Sequence, residues 1–373
     1  MRILYFSRDY CPHDHRFLTA MVDAGNEVYY LRLEDSGRKL ESREIPAQVE
    51  KIEWRGTGKR FNPWSIASYV LDLKQVLQVV KPDILHAGPI QSVGLIAALS
   101  GFHPLLSMSW GFDLMQNADR TPWSRWVTRN VLAKSDWLFG DCRAVLNKAA
   151  DYGYDLKRST YFPWGVDLDN FAPGENNRLS EQLNWKDAFI FLSNRSWEPQ
   201  YGADIVAKAF VDASAVNPRI RLLMPGSGSQ AGLIHQIFAE AGLLDKVHLP
   251  GQVKFADLPD LYRSADCYLS ASHTDGSSVS LMEALACGLP VIVSDIAGNM
   301  EWVTPGEQGW LFPDGDAHKL ADLMVKASQS RVDQAVMSLK SRHKAEQFAN
   351  WKINQQRMQD GYLMLLRKQE GTA

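Results

Sequence analysis

The sequence predicts an α/β protein built from two doubly wound domains. Short apolar strands alternate with amphipathic helices along the 373 residues, and one segment rich in Pro, Gly and Asn, residues 161–177, interrupts the alternation. This length exceeds one ordinary core, and the alternation is typical of parallel sheets. We therefore expect an N-terminal domain over 1–164, a C-terminal domain over 165–350, and a last helix over 351–373 that packs back on the first domain.

Five apolar segments are the predicted strands of the first domain: RILYF (2–6), EVYYLRL (27–33), DILHA (83–87), LLSMSW (105–110) and DWLFGD (136–141). Helices are predicted over residues 15–24 and 65–80. Five further strands are predicted in the second domain: AFIFLSN (188–194), IRLLMPG (220–226), KVHLPG (246–251), CYLSAS (267–272) and PVIVSD (290–295). Two such Rossmann-like domains would face each other across a cleft, and open sheets bind ligands at the carboxyl ends of their strands.

Composition excludes several classes of protein. The net charge is -3 and there is no dense Lys/Arg tract, which argues against a nucleic-acid binder. No apolar run approaches the ~20 residues of a membrane span, and the N-terminus becomes polar too early for a signal peptide. The four cysteines lie far apart, as expected of small core residues in a reducing, cytoplasmic setting: Cys11, Cys142, Cys267 and Cys287.

One acid stands in an otherwise apolar helix. The segment HTDGSSVSLMEALACGLPVIVSD (273–295) predicts a helix over about 279–287, which Gly288 and Pro290 terminate. Glu283 lies within this helix among apolar neighbours, and burying an unpaired carboxylate is costly. The helix N-terminus, opened by Gly276, Ser277 and Ser278, predicts a site for an anion such as a diphosphate. Glu283 would then accept the hydroxyls of a ribose; the alternative is a simple turn followed by a solvated acid.

This segment resembles the signature of the retaining glycosyltransferases of family four, which have the GT-B fold. Their pattern is an acid, seven residues, and then Glu-Ala-Met/Leu-Ala-Cys/Ser-Gly-x-Pro-Val, so Asp275 and Glu283 hold the two acidic positions. Four other segments resemble family elements in the same order: FPWGVDLDNFAP (162–173), RSADCYLSAS (263–272), GNMEWV (298–303) and GEQGWLFPDGD (306–316).

The resemblance implies roles for residues of the second domain. Glu283 would bind the donor ribose and Asp275 the transferred sugar, while Arg195 would pair with the diphosphate. The other donor-binding positions are the amides near Gly276, Ser277, Ser278 and Val279, and the nucleobase segment around Gly251 and Val253. The family's second cation, a Lys just before Gly202, is absent, and Gln200 and Tyr201 stand there. Lys254 is a further candidate for the cleft.

Candidates in the first domain rest on weaker patterns. SMSWGFDLM resembles the family's HGxD loop with Trp110 in place of His, so Asp113 would lie beside the acceptor or the transferred sugar; the alternative is a helix N-cap. His13 and Arg16 either line the cleft or lie on the surface at a helix start. His86, at the end of a strand, either faces the cleft or is a hydrogen-bonded core histidine.

Metal and membrane signals are weak. Two DxD sequences, Asp167-Leu-Asp169 and Asp314-Gly-Asp316, fall in a linker and a turn, and no His/Cys cluster has zinc spacing, so we expect neither a metal nor a cofactor. In the segment 121–137, Trp123 and Trp126 are expected to pack in the core. The alternative is a helix that lies peripherally on a membrane surface.

The sequence thus predicts a cytoplasmic, metal-independent, retaining glycosyltransferase. It would move a sugar from a nucleotide-diphosphate sugar to a hydroxyl acceptor, whether a glycan, a glycolipid or a small molecule. Two rivals stay open: a nucleotide-sugar-binding module that has lost catalysis, suggested by the absent Lys, and a GT-B-like nucleotide-sugar epimerase.

Overall fold

The computed structural model describes residues 1–34, 41, 43–54, 62–174 and 178–370. The chain divides into two compact units, one formed by Met1–Trp164 with the segment from Lys352 onward, the other by Gly165–Trp351. Each unit contains one all-parallel sheet with helices between its strands. The predicted fold class, α/β with two Rossmann-like domains, is confirmed.

The N-terminal unit contains a seven-stranded sheet. Its strands are β1 (Arg2–Ser7), β2 (Glu27–Arg32), β3 (Glu50–Ile52), β4 (Ile84–Ala87), β5 (Leu105–Met108), β6 (Trp137–Gly140) and β7 (Ser159–Tyr161). Its helices are α1 (Pro12–Asp23), α2 (Ile66–Val80), α3 (Leu95–Ser100), α4 (Pro122–Lys134) and α5 (Arg143–Asp151). The strand order is β3-β2-β1-β4-β5-β6-β7. The two edge strands, β3 and β7, were not predicted, because three residues are too few to set a pattern.

The C-terminal unit contains a six-stranded sheet. Its strands are β8 (Phe189–Leu192), β9 (Ile220–Leu223), β10 (Val247–His248), β11 (Cys267–Ser270), β12 (Val291–Ser294) and β13 (Gly309–Phe312). Its helices are α6 (Arg178–Gln182), α7 (Ala203–Val216), α8 (Ala231–Glu240), α9 (Leu258–Arg263), α10 (Val279–Ala286), α11 (Ala297–Met300), α12 (Ala317–Gln329) and α13 (Arg331–Phe348). The order β10-β9-β8-β11-β12-β13 places β8 and β11 side by side, so the loops that follow them meet at one edge.

A last helix, α14 (Trp351–Glu370), packs on the N-terminal unit. Asn354 donates its side-chain amide to the carbonyl of Pro163 at 3.0 Å. A Cβ on Gly361 would lie 2.6 Å from the ring of Phe139, so this glycine lets the helix approach the sheet closely. Tyr362 is fully buried beside the same ring.

Exposure on α4 differs from the sequence interpretation. Trp123 and Trp126 are 56% and 50% exposed, so the expected core packing of these tryptophans is wrong. The buried residues of α4 are Val127, Thr128, Val131 and Leu132, and both tryptophans lie outside this set. Of the cysteines, Cys142, Cys267 and Cys287 are buried as expected, and Cys11 is half-buried.

Candidate functional site

The acidic segment forms a strand, a loop and a short helix in the C-terminal unit. α10 begins after Ser278 and ends at Ala286, close to the predicted bounds. Gly288 adopts φ +76°, a conformation that suits glycine, and Leu289 N–H reaches back to the carbonyl of Ala284 at 2.9 Å. The first amides of α10 have no acceptor within the helix, and they lie at the carboxyl edge of the sheet.

Arg195 reaches this helix start from the loop after β8. Its Nη2 lies 2.6 Å from Oδ2 of Asp275, and its Nη1 donates to the hydroxyls of Ser278 at 2.8 Å and Ser280 at 3.0 Å. The other oxygen of Asp275 accepts the amide N–H of Gly276 at 3.0 Å. The predicted site residues Arg195, Asp275, Gly276 and Ser278 are therefore brought into contact.

The guanidinium is held in a nearly enclosed place. The side chain of Arg195 is 12% exposed, and burial acts to lower its pKa. The carboxylate of Asp275 and the neighbouring tyrosines outweigh burial and raise the pKa of Arg195, so its charge is secure. Its carbon Cζ lies 4.3 Å from the ring centre of Tyr201, within cation–π range. Among the residues that the structure describes, Arg195 Nε is buried and has no hydrogen-bond acceptor.

The loop that carries Arg195 is docked on the acidic loop. Gly202 has φ +61°, and a Cβ there would lie 2.0 Å from the carbonyl oxygen of Ala271, so only glycine fits. The N–H of His273 donates to the carbonyl of Gln200 at 3.0 Å. Backbone contacts thus fix Arg195 relative to Asp275.

Glu283 has a buried partner that the sequence did not reveal. The carboxylate is 5% exposed, and Tyr262 donates its hydroxyl to Oε2 of Glu283 at 2.8 Å. The same hydroxyl accepts the side-chain amide of Asn194 at 2.8 Å. Burial, reinforced by the charge of Glu283, raises the pKa of Tyr262 well above its ordinary value. The tyrosine therefore stays protonated and compensates the buried acid.

The GNMEWV segment (298–303) packs against the acidic loop. Trp302 donates its indole N–H to the hydroxyl of Ser277 at 3.2 Å. A Cβ on Gly298 would lie 2.3 Å from the carbonyl oxygen of Gly276, so the two segments touch backbone to backbone. These contacts fix the two residues that precede the N-cap of α10.

The predicted nucleobase segment lies at the same edge of the sheet. The carbonyl of Gly251 accepts the N–H of Gly226 at 2.8 Å, and a Cβ on Gly226 would lie 2.8 Å from the carbonyl oxygen of Arg195. The segment around Gly251 therefore contacts Gly226, and Gly226 packs in turn against the backbone of Arg195. Val253 is half-buried and Lys254 is exposed, and within the described part of the chain Lys254 forms no ion pair with Asp275.

Asp113 in the N-terminal unit is fully buried. One carboxylate oxygen accepts the N–H of Ile90 at 2.9 Å; the other accepts the Ser109 hydroxyl at 2.6 Å and the N–H groups of Trp110 and Leu114 at 3.0 Å. Burial raises the pKa of Asp113, although these donors oppose the rise. Four donors already occupy its oxygens, so this aspartate joins two loops, and its burial argues against the expected contact with a sugar.

Three other candidates of that unit lie near one another. His13 packs edge-on against Trp110, with ring centres 5.3 Å apart, and tilts towards Trp164 at 6.5 Å. Arg16 donates to the carbonyl of Trp164 at 3.4 Å. The structure therefore brings His13, Trp110 and Arg16 to one aromatic cluster.

His86 is a hydrogen-bonded core residue, which is one of the two alternatives that the sequence left open. It is fully buried, and its Nδ1 lies 2.7 Å from the hydroxyl of Tyr362 on α14. Burial lowers the pKa of His86 to about 3, which keeps the imidazole neutral. The partner lies 276 residues away in the chain, so no local pattern identified it.

Comparisons with known proteins identify the family and the fold. The sequence profile of the family described as "Glycosyl transferases group 1" matches residues 175–349, and "Glycosyl transferase 4-like" matches residues 2–141. The fold is shared with sucrose-phosphate synthase from Thermosynechococcus elongatus, at a TM-score of 0.82, 19% identity and coverage of 99% of this chain and 100% of that one. It is also shared with Anabaena HepE in complex with UDP-glucose, at a TM-score of 0.80 and 19% identity, with coverage of 96% of this chain and 99% of that one.

The chain belongs to the GT-B glycosyltransferases. Among curated relatives, the GDP-mannose-dependent monoacylated α-(1-6)-phosphatidylinositol monomannoside mannosyltransferase of Corynebacterium glutamicum is 25% identical over 73% of both chains. The D-inositol 3-phosphate glycosyltransferase of Geodermatophilus obscurus is 29% identical over 50% of this chain and 44% of that one. For the Geodermatophilus obscurus enzyme and for several further curated relatives, the match spans less than half of the relative's own length.

Within the described residues of this GT-B protein, no three metal-binding side chains converge as a metal ion would require. Asp314 lies 2.6 Å from Nδ1 of His273, Asp316 caps α12, and Asp167 accepts the N–H of Asp169 at 3.0 Å. The two DxD sequences are thus used by local structure. In the same part of the chain, no helix is both long enough and apolar enough to cross a bilayer.

The sequence patterns do not identify several residues of this GT-B site. Asn194, Tyr262 and Tyr268 come from three different segments, and Tyr268 donates its hydroxyl to Ser280 at 2.8 Å. Only Tyr201 stood at a marked position, that of the family's missing lysine. The ring of Tyr201 packs on the guanidinium of Arg195, so this position contacts the cation next to it.

Proposed function

We propose that this GT-B protein is a retaining glycosyltransferase that moves a sugar from a nucleoside-diphosphate sugar to a hydroxyl acceptor. One observation carries the proposal: Arg195 is held beside the N-terminus of α10, and the buried carboxylate of Glu283 lies about a turn and a half into the same helix. Cationic and amide donors suit a diphosphate, and a nearby carboxylate suits the hydroxyls of a ribose. Solved HepE structures with UDP, with UDP-glucose, and with UDP and glucose support a nucleotide-sugar donor.

The chemistry asked of the protein is electrostatic. The bond between the anomeric carbon and the diphosphate oxygen breaks, and the acceptor oxygen bonds to that carbon on the same face. The acceptor's proton passes to the leaving diphosphate, so no protein nucleophile is needed. Arg195, with the amides around Ser278 and Val279, stabilises the charge that develops on the leaving group. Asp275, next to them, orients the transferred sugar.

The same donors support the proposal that transfer is independent of metal. Arg195 and the helix amides supply the positive potential that a divalent ion supplies in other transferases. The three buried, free cysteines support a reducing, cytoplasmic setting. The acceptor class stays open among glycan, glycolipid and small molecule, and no nucleic-acid partner is proposed. A peripheral membrane contact rests on a separate face of the protein, α4.

The test is incubation of the full chain with a panel of UDP-, GDP- and ADP-sugars, with and without hydroxyl acceptors and with a chelator. We expect nucleoside diphosphate to be released, the product to keep the donor's anomeric configuration by NMR, and the rate to persist in chelator. An isomerised donor would instead identify an epimerase, and binding without turnover a binding module. An inverted product, or a rate that returns only with divalent metal, would contradict the mechanism.

A further inference from the structure

Helix α4 presents two tryptophans to solvent. Trp123 and Trp126 stack on each other, with ring centres 4.9 Å apart and planes inclined by 20°. Large aromatic side chains normally bury most of their surface, and a contiguous exposed pair marks an interaction surface. The donor site of the C-terminal unit makes no use of this pair.

Three cations also lie on the exposed surface of this helix. With 3.6 residues per turn, Arg125 and Arg129 fall on one side of the tryptophans and Lys134 on the other. All three are exposed, and the helix contains neither Asp nor Glu. We name these five residues, Trp123, Trp126, Arg125, Arg129 and Lys134, the tryptophan face.

The charge next to the tryptophan face is positive. Residues 119–134 carry four cations, because Arg120 precedes the helix, and one carboxylate, Asp119. That carboxylate is already shared between Arg125, at 3.4 Å, and Lys148. The whole chain has a net charge of -3, so any attraction to an anionic surface must be local to this face.

We propose that the tryptophan face docks the protein on an anionic lipid bilayer. Tryptophan rings prefer the headgroup level of a membrane, and arginine and lysine attract anionic lipids. The buried side of α4 packs in the core through Val127, Val131 and Leu132, so the helix would lie flat in the interface without leaving the fold. This inference goes beyond the proposed function and holds whether or not the protein transfers a sugar.

The test is sedimentation of the full chain with vesicles of phosphatidylcholine alone or mixed with phosphatidylglycerol. We expect binding to the mixed vesicles that weakens as salt is added. The double variant Arg125→Gln/Arg129→Gln should bind about 25-fold more weakly, since each cation near an anionic surface contributes roughly a factor of five. Trp123→Ala/Trp126→Ala should lose at least about tenfold, because apolar area also contributes.

A matched control is the double variant Val336→Ala/Leu339→Ala. These residues have the same spacing and are exposed on α13 of the C-terminal unit, and this change should leave vesicle binding unaltered. Circular dichroism checks that each variant is folded. Absence of wild-type binding, or equal binding to neutral vesicles, would overturn the proposal. Wild-type self-association that the tryptophan variant abolishes, without vesicle binding, would assign the face to a second copy of the chain.

Discussion

Replacing Arg195 by Met tests the proposed site most directly. The change keeps much of the apolar stem and removes the guanidinium that contacts Asp275, Ser278 and Ser280. Without it, on the proposed function, the helix amides alone would face the diphosphate, because Gln200 and Tyr201 stand where the resemblance implies a second cation. We therefore expect Arg195→Met to weaken nucleoside diphosphate binding strongly and nucleoside binding hardly at all.

The magnitude follows from the hydrogen bonds that Arg195 can give to a phosphate. Nη1 and Nη2 contact Asp275, Ser278 and Ser280, and a diphosphate that takes over one of these contacts would gain one charged hydrogen bond. Such a bond contributes about 1.5–3 kcal/mol, which is roughly ten- to over a hundredfold in affinity. Removing the cation also leaves Asp275 without its ion-pair partner. Because this pair is mostly but not fully buried, the free energy of unfolding should fall by about 1–2 kcal/mol.

The assay is a pair of calorimetric titrations, with the nucleoside diphosphate and with the matching nucleoside, on wild type and variant. Arg2→Met is the control: it removes the same group from an ion pair with Glu27, at the amino end of β1. Its affinities should match wild type. Equal losses for both ligands in Arg195→Met, or no loss for either, would refute the reasoning and turn attention to Lys254 and Arg16.

Glu283→Gln should weaken ribonucleoside diphosphate binding about tenfold, because an amide accepts ribose hydroxyls less well than a carboxylate; a 2′-deoxy ligand should show a smaller loss, and unchanged calorimetric affinity for both would remove Glu283 from the site. Tyr201→Leu should weaken diphosphate binding roughly three- to thirtyfold through loss of the ring that faces Arg195, whereas Tyr201→Phe should stay within about twofold of wild type. Equal losses in the two Tyr201 variants would assign the effect to the hydroxyl instead of the ring.

The sequence predicted those parts of the site that local physics determines. The bounds of α10 follow from Gly288 and Pro290, and the position of Arg195 follows from the end of a buried strand. The partners of these residues come from elsewhere: Tyr262 lies 21 residues from Glu283, on a separate helix. The sequence around Glu283 does not predict Tyr262 as its partner, and the sequence around Tyr262 does not predict Glu283. Only the packing of the loops against each other makes the pair.

One wrong expectation and one open alternative have different causes. The burial of Trp123 and Trp126 was inferred from residue type. Helical periodicity does not contradict that inference for Trp123, which lies one turn before Val127 on the same stripe of α4. His86 is different, because a histidine at the end of a strand fits both the core and a ligand site. The hydrogen bond to Tyr362 of α14 shows that His86 belongs to the core.

Backbone contacts also fix the loops around Arg195. Gly202 lies so close to Ala271 that the loop of Arg195 rests directly on the strand that leads to Asp275, and the amide of His273 closes the contact. Gly298 holds the other side of the acidic loop in the same way. On the proposed function, a donor would bind to loops that these contacts already order, which would lower the entropic cost of binding. Asp275 and the diphosphate would both attract Arg195, so donor binding would change how the guanidinium is shared between them. The ring of Tyr201 packs on that guanidinium, 4.3 Å from Cζ, and the Tyr201→Leu variant therefore tests whether this contact keeps Arg195 in place for both anions.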